Sequence, residues 1–176
     1  MKKQDTKNRK RLPGLAMTAV MALALATDAS ADNIRGFPGK VPAAYGQECA
    51  ACHTAYPPGM LPARSWQRIM NGLEHHYGTD ASLDAASVRQ LSEWLQAHAG
   101  TFKRANLEPP EDRITKSVWF ERKHRKIDPA VWKLAAVKSA GNCIACHTRA
   151  DRADYGDATR RPPAGMDACL LRGWDD

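Results

Sequence analysis

Apolar side chains recur at helical spacing in two stretches of the chain. In ARSWQRIMNGLEHHY, residues Trp66, Ile69, Met70, Leu73 and Tyr77 fall within roughly 60° of one direction when each residue advances about 100°. In SLDAASVRQLSEWLQAHAG, Val88, Leu91 and Leu95 form a second stripe that His98 continues. These patterns predict helices over about 63–76 and 84–99, the second capped by Ser82 or Asp84. PPGMLP, residues 57–62, breaks the chain ahead of the first helix. Further short helices are expected around Cys49, from Asp128-Pro129 through Ala135, and around Cys143. The polar stretch from Gly100 to Arg113 contains Pro109-Pro110 and reads as a linker, and residues 149–165 read as irregular surface. No strand-like alternation of any length interrupts this, so the expected fold class is all-α.

The ends of the chain change the electrostatic picture. MKKQDTKNRKR is a basic head, Leu12 to Ala26 is an uncharged apolar run, and Ala29-Ser30-Ala31 has the small-x-small form of a cleavage site. These are the three parts of a secretory signal, and fifteen residues fall short of the about 20 that an ordinary membrane-spanning helix needs. Residues 1–31 are therefore expected to be a signal peptide and the mature chain to be periplasmic. Without them, 26 basic and 19 acidic residues become 20 and 17, and the net charge falls from +7 to +3. Much of the apparent basicity is thus targeting, which removes the main support for nucleic-acid binding. The remaining 145 residues suffice for one or two small domains, with boundaries expected at 32–105 and 106–176. Only three phenylalanines occur in the whole chain, a lean core for this length.

Five cysteines in an exported chain would ordinarily suggest disulfides. Their spacing suggests otherwise. Cys49, Cys52 and His53 form CAACH; Cys143, Cys146 and His147 form CIACH. C-x-x-C-H is the attachment pattern of c-type haem: two thiols on one turn can form thioethers with the porphyrin, and the adjacent histidine supplies an axial nitrogen to the iron. A paired zinc site separates its C-x-x-C units by about 15–20 residues, whereas ninety separate Cys52 from Cys143, and a thioredoxin-like pair would need a βαβ context. Two covalently attached haems c are therefore expected. Cys169 is left over and reads as a small thiol near the C-terminus.

What occupies the second axial position of each iron decides between electron transfer and small-molecule chemistry. His75, His76, His98 and His124 remain. His76 falls at the edge of the first apolar stripe and His75 on the opposite face, which favours His76 for the first iron. His98 is its rival, although a histidine in a last helical turn can also simply bond the final carbonyls. For the second iron His124, in the basic run SVWFERKHRKI, competes with Met166, since no histidine follows His147.

CAACH, LPARSWQRIMNGLEHHYGTDASL, RITKSVWFERKH and NCIACHTRA followed by YGD together resemble the small periplasmic dihaem cytochromes c, from the first motif almost to Gly156. The resemblance implies a cytochrome c-like N-terminal haem domain and a smaller, irregular helical C-terminal one, with both irons held by two histidines. It places the second ligands at His76 and His124. It also implies electron transfer to other redox proteins, including an oxygen-binding monohaem cytochrome and a membrane cytochrome b. The segment PPAGMDACLLRGWDD has no counterpart in that resemblance. Lys103, Arg104, Arg113, Lys116, Arg122, Lys123, Arg125 and Lys126 cluster in the middle third and suit a small charged docking patch. The competing function is a haem enzyme or gas binder, of peroxidase or small-oxide reductase type, with one iron open; no set of distal polar groups in the sequence supports it.

Overall fold

The computed structural model describes residues 36–102, 105–167, 170 and 174. The expected signal peptide, Lys103, Arg104 and Cys169 lie outside them. Three α-helices carry the described fold: α1, Ala63–Asn71; α2, Ala85–Ala97; and α3, Val118–His124. A π-helical turn, Tyr45–Cys49, precedes them, and short 3-10 turns join them. Among the described residues there are only isolated β-bridges and no strand, as the all-α expectation required.

Helices α1 and α2 pack together because their apolar stripes face each other. Trp66 and Met70 from α1 meet Leu91, Trp94 and Leu95 from α2 in one buried cluster that also takes in Tyr45 and Leu61. Leu91 and Leu95 are almost wholly removed from water, and each contributes about 1.5–3 kcal/mol by burial. Asp84, not Ser82, starts α2: one carboxylate oxygen accepts from the amides of Ala86 (2.8 Å) and Ser87 (3.1 Å), and the other from the Ser87 hydroxyl (2.6 Å).

The first helix is shorter than its periodicity predicts. It ends at Asn71, where Gly72 leaves the helical region (φ −133°, ψ 35°). Glycine inside a helix costs about 1 kcal/mol relative to alanine, so the chain turns there and continues as a 3-10 turn, Leu73–His75. Two further expectations also shrink. The expected helix through Ala135 is a 3-10 turn, Pro129–Lys133, capped by Asp128 through the Ala130 amide. At CIACH only Cys143–Ala145 is helical, again as a 3-10 turn. In the opposite sense, α3 is a helix that the periodicity did not reveal. Ser117 caps it by accepting from the Phe120 amide.

Residues on either side of 103–104 in the stretch read as a linker, Gly100 and Asp112 among them, are tied to the first helical region. The Gly100 amide donates to the Leu61 carbonyl (2.8 Å). A Cβ at Gly100 would lie 2.5 Å from the Gly59 carbonyl oxygen and 2.7 Å from the Ala105 methyl. Gly100→Ala should therefore cost about 1–3 kcal/mol, as overpacking does, and lower the thermal midpoint by several degrees. Arg68 clamps the end of the same stretch to α1, donating to both carboxylate oxygens of Asp112 (2.6 and 2.8 Å) and to Glu108 (2.8 Å).

The Arg68 hydrogen bonds hold the Asp112 carboxyl below its ordinary value. A depressed carboxylate stabilises the fold above its unfolded pKa, near 4, and the contribution is lost as pH falls through the lower, folded value. Arg68→Met should accordingly be less stable than the parent by about 0.5–1 kcal/mol at pH 7. The gap in thermal midpoint should close well below pH 4.

Two tryptophans anchor on the turn Pro58–Met60. The Trp66 indole donates to the Pro58 carbonyl (2.7 Å) and the Trp119 indole to the Met60 carbonyl (3.2 Å). Because Trp119 belongs to α3, this turn holds the region of the second histidine pair against the first helix.

Candidate functional site

The first site is built on the π-helical turn and the turn after α1. Cys49 closes the π-helical turn, and Cys52 and His53 follow it, so CAACH straddles a helix end rather than lying within a helix. A cavity of about 470 Å³ opens beside them, lined by Cys49, Cys52, His53 and His76 and walled by apolar groups including Trp66 and Met70. Cys143 of the other motif also reaches its wall. This is the size and character of a cofactor site.

His76 reaches the cavity by a route the face count did not contain. After Gly72 the chain no longer follows 100° per residue. The 3-10 turn, Tyr77 at φ 51° and Gly78 at φ 98° form a tight reversal closed by the Thr79 amide on the His76 carbonyl (3.1 Å). The result leaves His75 exposed and His76 half-buried. The ring centres of His53 and His76 lie 6.2 Å apart. Two imidazoles on opposite sides of one metal, each at about 2 Å, place their ring centres about 6 Å apart, so this pair fits an iron between them.

The second pair has the same spacing. His124, at the end of α3, and His147, after the turn at Cys143, have ring centres 6.2 Å apart. His124 Nδ1 is bonded to the Phe120 carbonyl one turn earlier (2.9 Å) and His53 Nδ1 to the Thr54 carbonyl (2.8 Å). Such bonds fix the ring and leave Nε2 for a metal. His147 Nδ1 is buried with no protein partner.

Burial sets the protonation of these rings. It lowers the pKa of His76, with His53 adding to the effect, and lowers that of His124 against the opposing pull of the Phe120 carbonyl. It pushes His147 down to about 4, helped by His124 and Arg160. All three are therefore neutral near pH 7, the form that binds iron.

Burial also raises the Cys49 and Cys143 thiols to about 11. A redox-active or nucleophilic cysteine needs the opposite shift. The four motif cysteines form no disulfide with one another. Among the described residues, no group of three or more His, Cys, Asp or Glu side chains converges. The residues present fit a haem at each motif.

Of the remaining candidates, His98 has another role. His98 caps the end of α2, its Nδ1 on the Trp94 carbonyl (2.8 Å), as a last-turn histidine can. Met166 is half-buried and follows Gly165, whose φ is 92°.

The ring-holding aromatics were not singled out in the sequence. Tyr56 lies 4.9 Å from His53, Phe120 lies 4.0 Å from His124 with Trp132 beyond it, and Tyr155 lies 5.4 Å from His147. A signal existed for two of them. Tyr56 is three residues past its motif histidine, and Phe120 stands at i−4 from His124, one helical turn away.

A family model described as dihaem cytochrome c matches residues 45–155. Among solved structures, a diheme cytochrome type c from Shewanella baltica OS155 is 33% identical with a TM-score of 0.61, the match covering 70% of this chain and 96% of that one. A diheme cytochrome c from Rhodobacter sphaeroides is 42% identical with a TM-score of 0.57, covering 64% and 94%. DHC purified from the same organism is 41% identical with a TM-score of 0.55, covering 64% and 96%. No curated protein matches the chain.

Proposed function

The chain belongs to the dihaem cytochrome c family, and on that premise we propose that it is a periplasmic electron carrier whose two irons are each closed by a pair of histidines. Its cofactors are two covalently attached haems c. Cys49 and Cys52 would hold one, with His53 and His76 on its iron; Cys143 and Cys146 would hold the other, with His147 and His124. The observation that carries this reading is the repeated 6.2 Å spacing of the two imidazole pairs. When bound, each haem supplies a one-electron couple.

The protein's part is to hold the ligands still and limit water. Neutral His53 and His76, and neutral His124 and His147, would offer an iron the same pair of nitrogen ligands in either oxidation state, so the protein side chains would need to move little. The carbonyls on His53 and His124 keep the rings from turning, and the apolar wall around Trp66 and Met70 limits solvent at the first site. Tyr56 links the two regions, its hydroxyl donating to the Gly141 carbonyl at 2.7 Å, two residues before Cys143.

Export rests on the basic head, apolar run and small-x-small pattern of residues 1–31. The partners are other redox proteins, for which an oxygen-binding monohaem cytochrome and a membrane cytochrome b are the proposed pair. Lys123 and Arg125 are exposed on either side of His124 and offer a docking patch beside the second iron.

A reductive titration tests the proposal: two reversible one-electron steps and no consumption of hydrogen peroxide are expected. Peroxide turnover at a rate tied to one haem would replace the carrier by the haem-enzyme reading.

A further inference from the structure

The two histidine pairs share a spacing and differ in twist. The ring planes of His53 and His76 are 21° apart, close to parallel; those of His124 and His147 are 83° apart, close to crossed. Aromatic neighbours hold these angles. Tyr56 lies nearly parallel to His53 (20°), and its own position is fixed by the bond to the Gly141 carbonyl. Phe120 is buried and lies nearly parallel to His124 (21°), while Trp132 meets the same ring at 61°. Tyr155 stands at 70° to His147. The backbone bonds at Thr54 and Phe120 fix the tautomers of His53 and His124, and the stacked rings fix their rotation.

We propose that Tyr56 and Phe120 are positioning residues that give the two irons different electronic structures, one between parallel imidazoles and one between crossed imidazoles. The inference rests on the histidine-pair reading above. An imidazole donates π density from the orbital perpendicular to its plane. Two parallel rings act on the same iron d orbital and split it from its partner. Two crossed rings each act on a different orbital and leave the pair almost degenerate. A low-spin ferric iron reports this directly, because its magnetic anisotropy grows as the two orbitals approach one energy. The protein thus holds two chemically identical haems in distinguishable states by the angle at which two aromatic side chains seat the ligands.

Low-temperature electron paramagnetic resonance of the fully oxidised holoprotein tests this. Two low-spin ferric signals of equal integrated intensity are expected. One should be rhombic with three resolved features; the other should show a single feature at distinctly larger g. Two signals of the same kind overturn the inference and leave the histidine pairs standing. A high-spin signal from either iron overturns the histidine-pair reading and the inference with it.

Variants then assign the roles. Tyr56→Leu should shift only the rhombic signal and Phe120→Leu only the large-g signal. Tyr56→Phe and Phe120→Tyr, which keep the rings, should restore the parent positions. Unchanged signals in both leucine variants would overturn the positioning roles. Should Phe120→Leu fail to load haem, the parent spectrum and the Tyr56 pair still decide.

Discussion

Replacing His124 with alanine should convert one of the two irons to a high-spin form that binds carbon monoxide, while the other keeps its low-spin spectrum. His124 is held from two directions, by the Phe120 carbonyl on Nδ1 and by the Phe120 ring 4.0 Å away. On the proposed ligation, its remaining nitrogen would be the one left for an iron shared with His147. Removing the side chain leaves no second histidine at that spacing. Close to half of the total haem absorbance should change, because one haem of two is affected. His98→Ala serves as a control, since His98 is committed to the end of α2, and Met166→Leu tests the competing ligand directly. Both variants should keep two low-spin haems. A spectrum unmoved by His124→Ala, or one that changes with Met166→Leu, would transfer the ligand role away from His124.

The second large effect concerns the thioethers. Cys143→Ala combined with Cys146→Ala should give a chain with one covalent haem instead of two, seen as a mass lower by one haem. It should also loosen the C-terminal half. The first region has a cluster of large buried side chains, among them Leu61, Leu91, Trp94 and Leu95. Among the described residues beyond α3, the buried apolar groups are Val131, Val137, Ala150, Ala153, Pro163 and Trp174. Few of these are large, and most of the local elements are short 3-10 turns. A haem held there would supply apolar surface for the turns to pack against, so its loss would remove that support. Limited proteolysis should therefore cut the double variant preferentially beyond residue 117, with α1 and α2 protected. Uniform protection across the chain would show that the second half is stable without its haem.

The contrast between the halves also explains what the sequence made legible. Helices α1 and α2 could be read because each buries one apolar stripe, so period and burial agree, and Asp84 marked a start. Gly72 defeated the length of α1: a face count assumes constant geometry, and one glycine was enough to end it. His76 still came out on the inner side, but through the reversal at Tyr77 and Gly78 rather than through helical phase. Helix α3 was hidden because only Phe120 among its residues is fully buried, while Val118 is exposed and the rest are mostly polar or charged. Both motif segments were expected to be helical and are largely turns, since covalent chemistry, rather than periodicity, dictates the residues there. The C-x-x-C-H patterns were readable for the same reason. The aromatic seating of the rings was not: Tyr56 and Phe120 stand only three and four residues from His53 and His124, but the angle at which two rings meet is set by side-chain rotamers that no pattern of residue types reveals.

The central claim is that both irons are closed by histidine pairs. Its most direct test is the absorption spectrum of the purified holoprotein, oxidised, reduced, and reduced under carbon monoxide. Two histidine-closed irons should give low-spin spectra for both haems in both oxidation states, unchanged by the gas. A carbon monoxide complex forming readily at one haem in the unmutated protein would contradict it and identify an open iron.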